Sequence, residues 1–79
     1  MTAQPLELLT PREKQVAVLV ALALTDSQIA DSLFITVRTV KGHVESIRQK
    51  LGVRNRTAIC RWMLVAHYEG NTVLFNNVL

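Results

Sequence analysis

A single cysteine, Cys60, stands among the 79 residues, so no disulfide can form within the chain and no cysteine-based zinc site can be assembled. Prolines number two and glycines three, and neither a repeat nor a low-complexity segment is present. No apolar run approaches the roughly 18 residues of a membrane span. The amino end, MTAQPLELL, lacks the basic start and long apolar core of a signal peptide, so a soluble, cytoplasmic chain without a membrane partner is expected. The two histidines, His43 and His67, stand at neither metal nor catalytic spacing from one another or from Cys60. Without a nucleophile, a base and an orienting partner, no catalysis, cofactor or metal is expected. His43, at the edge of an apolar stripe, reads as a packed histidine rather than a ligand.

Cations are in excess, nine Lys and Arg against six acids, for a formal charge of +3 and a pI near 9.6. The excess matters because it is clustered: Arg38, Lys41, Arg48, Lys50, Arg54, Arg56 and Arg61 crowd one stretch. A chain this short buries only about 60% of the surface its unfolded form exposes, so one small domain with a marginal core is expected, and dimerisation would support it.

The pattern is helical throughout. Thr10-Pro11-Arg12-Glu13 is a capping box with proline at the first helical position, and Thr25-Asp26-Ser27-Gln28 repeats the box with glutamine. Thr36 is a third cap, without a box. These signals predict a helix over 11–23 with Val16, Leu19, Val20 and Ala23 as its core face, and a short helix over 26–33 with Ile29 and Ala30 inward. A long helix follows over 37–51, ended by Gly52 in a left-handed conformation. Asn55 caps a last helix over 56–68, with Ile59, Trp62, Met63 and Ala66 inward. No strand is needed, and the fold class is all-α.

The third helix carries two stripes. Val40, Val44, Ile47 and Leu51 recur at helical spacing on one side, while Arg38, Lys41, Gly42, Glu45 and Gln49 fall on the other. A short helix followed by one that buries an apolar face and shows a basic, uncrowded face is a helix-turn-helix, whose second helix fits the major groove of DNA.

The segments LTPREKQV, DSQIADSLFIT, RTVKGHV and IRQKLGVRNRT closely resemble the DNA-binding domain of LuxR/FixJ-type transcriptional regulators, over Leu9 to about Ala66 and in the right order and spacing. The resemblance implies four helices, the middle pair as the helix-turn-helix and the last as a dimer contact. It also implies a transcriptional regulator that binds palindromic double-stranded DNA as a homodimer, with RNA polymerase or a regulatory protein as a further partner. The chain departs from the family at Ala23, where glycine is usual, at Asp26 and Gln28, where Asn and Glu are usual, and at Gly42, commonly Asn or a larger residue.

Lys41 matches the family's base-contacting lysine and could donate to guanine O6 or N7, or contact a phosphate instead. Glu45, one turn on, either accepts from cytosine N4 or repels phosphates. Gly42 between them costs about 1 kcal/mol in a helix interior; it either lets backbone and DNA approach closely or is simply carried by the buried stripe. Thr36 and Thr39 sit where a helix amino terminus can hold a phosphate, or serve only as caps. Arg38, Arg48, Arg54 and Arg56 flank the helix as phosphate contacts or solvated surface charges.

On the last helix, Thr57, Cys60, Leu64, His67 and Tyr68 form a second, partly apolar stripe, read as a dimer interface. Residues 1–8 are expected as a flexible lead, 9–68 as the domain, and the apolar tail 69–79 as packing on the domain or its dimer mate. Two competing readings are a sigma-factor type of helix-turn-helix and a protein-interaction module that has lost DNA binding. The second draws on the tail and on Val18 and Leu22, which the helical period places opposite the core of the first helix.

Overall fold

The computed structural model describes residues 5–68, as a 3-10 turn (Pro5–Leu8) followed by helices α1 (Pro11–Ala21), α2 (Asp26–Leu33), α3 (Val37–Leu51) and α4 (Arg56–Tyr68). The described residues contain no strand, and the architecture is all-α. The 3-10 turn lies inside the stretch expected as a flexible lead and is an element that the sequence pattern does not announce. The tail 69–79, and with it the expected packing of that tail, lies outside the described residues.

Each helix begins where a side chain can accept from its first orphan amides. Thr10 Oγ1 accepts from the Glu13 amide at 3.1 Å while the Glu13 carboxylate accepts from the Thr10 amide at 2.9 Å. Thr25 and Gln28 make the same reciprocal pair at 3.1 and 2.8 Å. Thr36 accepts from the Thr39 amide at 3.1 Å without a box, and Asn55 accepts from the Ala58 amide at 2.9 Å.

The first three helices end alike, on one residue in the left-handed region: Ala23 (φ 69°), Phe34 (φ 59°) and Gly52 (φ 68°). Behind each, the next amide reaches back to a carbonyl five residues earlier: Leu24 to Leu19 at 3.1 Å, Ile35 to Ala30 and Val53 to Arg48 each at 3.0 Å. This is the Schellman arrangement, and Leu24, Ile35 and Val53 supply its apolar lid by packing against the core. Only the third position uses the residue that the backbone favours there.

The core gathers around α1, which packs against both α3 and α4. Val16, Ala17, Val18, Leu19 and Val20 are all buried, so this helix has no outward side along its second half. Two expectations are corrected here. Val18 does not face solvent, because α3 and α4 cover α1 from two directions; its relative exposure is 0%. Ala23 is not a core residue: α1 stops at Ala21, and Ala23 is an exposed turn residue. Ile29 and Ala30 of α2, Val40, Ile47 and Leu51 of α3, and Ile59, Met63 and Ala66 of α4 complete the core, with Val44 and Trp62 half-buried against it.

Two polar links fix the layout. Glu13, only 6% exposed, accepts from Lys50 Nζ at 2.7 Å and from Ser46 Oγ at 2.7 Å, which ties the start of α1 to the second half of α3. Arg56 pairs with Asp26 and donates to the Leu24 carbonyl at 2.7 Å, tying the start of α4 to the start of α2.

Candidate nucleic-acid interface

With Val40, Ile47 and Leu51 held in the core, the opposite face of α3 is fixed outward. Arg38, Lys41, Gly42, Glu45 and Gln49 are all exposed along it. Thr36 and Thr39 stand exposed at its amino end, joined hydroxyl to hydroxyl at 3.0 Å. A Cβ added at Gly42 would meet nothing within 4 Å, so no intramolecular contact requires glycine at that point. His43 is half-buried at the edge of the apolar stripe.

The cations of this region divide into two groups. Among the described residues, the side chains of Arg38, Lys41 and Arg54 are exposed and make no hydrogen bond or ion pair. Three others have partners inside the fold: Lys50 on Glu13, Arg56 on Asp26, and Arg48 on Glu45 at 2.9 Å. Arg48 also donates to the carbonyl of Arg54, and Gln49 donates to Glu45 at 3.2 Å. Hydrogen bonds from Arg48 and then Gln49 hold the Glu45 carboxyl below the usual carboxylate range.

The Glu13 site is an attachment of the interface to the core. Burial by itself pushes the Glu13 carboxyl up; hydrogen bonds from Lys50, Ser46 and the Thr10 backbone, with the Lys50 charge, outweigh it and lower the carboxyl from 4.5 to about 2. The capping box reveals half of this role, since a glutamate at that position is expected to reach back to the cap. The partners 33 and 37 residues away have no local signal. Likewise, the spacing of Glu45 and Arg48 permits an ion pair on one helix, but the further bond to Arg54 depends on how the chain turns at Gly52.

On α4, Thr57 and Leu64 are exposed and Cys60 is half-buried, its thiol donating to the Val20 carbonyl at 3.2 Å. Thr57 and Cys60 line an open groove of about 480 Å³ with Val20, Leu24, Asp26 and Arg56 among its other walls. The side chains of His67 and Tyr68 lie outside the described residues. No helix among the described residues is long and apolar enough to cross a membrane.

Helices α2 and α3, joined through residues 34–36, with a basic solvent face on the second, define a helix-turn-helix domain of the DNA-binding type. Over residues 7–63 the chain matches the family of bacterial regulatory proteins designated the luxR family, and it belongs to that family. It is 46% identical over 55 residues to the transcriptional regulatory protein LiaR of Bacillus subtilis (strain 168), a stretch that covers 70% of this chain and 26% of LiaR. To the response regulator protein VraR of Staphylococcus aureus (strain Mu3 / ATCC 700698) it is 42% identical over 55 residues, with 70% of this chain and 26% of VraR covered. The match thus spans about a quarter of the length of these relatives. No solved structure matches the chain.

Proposed function

We propose that this chain acts in transcription regulation as a sequence-specific DNA-binding unit, with α3 in the major groove and two copies on a palindromic site. The observation that carries the reading is the exposed outer face of α3. There Arg38 and Lys41 have no partner within the described fold, and Arg54 lies just beyond its carboxy end in the same state. Lys41 reads a base edge, with Gly42 leaving room for close approach. Arg38 and Arg54 contact phosphates, as do Thr36 and Thr39 at the helix amino terminus, where unpaired amides and the helix dipole favour an anion. Arg56, engaged with Asp26 and Leu24, contributes by fixing α4 and reaches a phosphate only with its remaining donors.

Dimerisation through the stripe of Thr57, Cys60, Leu64, His67 and Tyr68 would place two recognition helices in successive major grooves, about 34 Å apart. LiaR is a transcriptional regulatory protein and VraR a response regulator protein by name, which supports the same role here. RNA polymerase or a regulatory protein is the further partner this role calls for. The competing protein-interaction reading loses one of its supports, because Val18 is buried.

Selection of bound duplexes from a random pool tests the proposal. Recovery of an inverted repeat supports base reading and dimerisation together. Recovery of an unstructured pool, with affinity set only by salt, removes sequence specificity from the account.

A further inference from the structure

Among the cations of α3, Arg48 has all three guanidinium nitrogens donating within the fold. Its Nε and Nη2 donate to Glu45 Oε1 at 3.2 and 2.9 Å, Nη2 donates to Oε2 at 3.0 Å, and Nη1 donates to the carbonyl of Arg54. Gln49 Nε2 adds a further bond to Oε2 at 3.2 Å. The planar guanidinium therefore bridges two places: a carboxylate on the outer face of α3 and the backbone of the connection that leads into α4.

Resting on the DNA-binding reading above, we propose that Glu45 is a positioning residue: it holds Arg48 on the Arg54 carbonyl, withholding that guanidinium from phosphates and fixing the 52–55 connection beside α3. A carboxylate whose two oxygens already accept from Arg48 and Gln49 has little capacity left for a cytosine amino group, so it does not read a base. An exposed ion pair alone is weak. Here release also breaks the bond to the Arg54 carbonyl, so a single new phosphate contact has to replace both interactions. With the charges of Glu45 and Arg48 cancelled, the cations offered to DNA on this face are Arg38, Lys41 and Arg54. The backbone that carries Arg54 is set by the same clasp.

The test uses the full chain with Glu45→Ala, Arg48→Ala and the double variant. Two quantities are read: the salt dependence of binding to the selected duplex and to random duplex, and hydrogen exchange in the free protein of the Val53 and Ala58 amides, which donate to the Arg48 carbonyl and to Asn55 Oδ1 at the two ends of the connection. Glu45→Ala frees Arg48 for a phosphate, so the slope of log K against log salt should steepen by about 0.9 on both DNAs, with the preferred bases unchanged. On the Arg48→Ala background the same substitution should leave the slope where it is. Either single substitution should speed exchange at Val53 and Ala58, and the double should add nothing further. Equal steepening with and without Arg48 would mean that the carboxylate acts directly on DNA, and a changed base preference at unchanged slope would mean that it reads a base; each overturns the proposal. Failure of the unmodified chain to bind any duplex overturns the DNA-binding reading and the withheld phosphate contact with it. The exchange arm decides the positioning role separately, and unchanged exchange overturns it.

Discussion

Glu13 and Lys50, 37 positions apart, meet at 2.7 Å and join the first turn of α1 to the last turn of α3. The pair lies beneath the outer face of α3, and Ser46 completes it from the same helix. One consequence is a defined acid sensitivity. The Glu13 carboxyl is lowered from 4.5 to about 2 in the folded chain, so its contribution to stability is complete above about 4.5 and is lost as pH falls toward about 2. A shift of that size corresponds to about 3 kcal/mol at neutral pH. Glu13→Gln should lower stability by about 2 kcal/mol at pH 7 and flatten the stability curve between those two pH values, both read by urea denaturation. Lys50→Met should cost more, because it leaves a buried carboxylate without its cation. A Glu13→Gln protein that keeps the full acid dependence would assign that dependence to other groups.

The left-handed ends of α1 and α2 carry Ala23 and Phe34, whose Cβ atoms are disfavoured at positive φ. Ala23→Gly should stabilise the domain by about 1 kcal/mol, equivalent to a rise of roughly 4–8 °C in Tm for a domain of this size. Phe34 is 95% exposed, so Phe34→Asn removes little packing and should also stabilise, since asparagine tolerates this region. Gly52→Ala should act in the opposite sense. Thermal denaturation of the three variants checks the series; a loss of Tm in Ala23→Gly would show that the methyl group makes a stabilising contact that outweighs the backbone strain.

Much of this architecture is legible locally. Thr10, Thr25, Thr36 and Asn55 each sit at a helix start, and the three apolar positions Val40, Ile47 and Leu51 orient α3 without reference to any other element. Helical period alone fails at Val18, since a helix covered from two sides buries positions that a one-sided stripe leaves out. It fails at Ala23 because α1 ends in a Schellman turn without the glycine that usually marks one. At the candidate interface, exposure of Lys41 and Arg38 follows from period, but the division between unpartnered cations and those held by Glu13, Asp26 and Glu45 requires contacts between distant segments.

Gly42 offers a separate test of the groove-facing surface. Because a Cβ there meets no neighbour, Gly42→Ala should stabilise the free domain by about 1 kcal/mol through helix propensity alone. If α3 lies against base edges, the same methyl group should weaken binding to the selected duplex. Opposite signs in denaturation and in DNA titration are the expected result; a gain in both would move the close approach away from Gly42.

Lys41 and Arg54 are expected to fail in different ways. Lys41→Ala should reduce discrimination at one base pair per half-site by roughly 1–3 kcal/mol. Arg54→Ala should instead weaken cognate and random duplexes alike and lower the salt slope by about 0.9. Competition titrations against single-base variants separate the two, and equal loss on cognate and random DNA for Lys41→Ala would make it a phosphate contact.

Leu64 decides where two copies meet. It is 47% exposed on α4, and Val65 beside it is 56% exposed, while Ile59, Met63 and Ala66 face the core; an apolar surface of this kind gains by being covered. A two-fold axis brings the same patch of both copies together, so a charge introduced there meets its own image. Leu64→Asp should therefore set two carboxylates opposite each other without disturbing the core or the outer face of α3. The interface is small, and weak self-association in free solution with cooperative binding on an inverted repeat is the expected behaviour of the unmodified chain. The variant should keep its helical circular dichroism and bind a half-site almost normally, yet lose cooperativity on the full site. Thr57→Ala, a small change on the same stripe, should weaken cooperativity far less. Full cooperativity in Leu64→Asp would place the contact off this stripe, and loss of half-site binding together with helicity would show that Leu64 supports the fold instead.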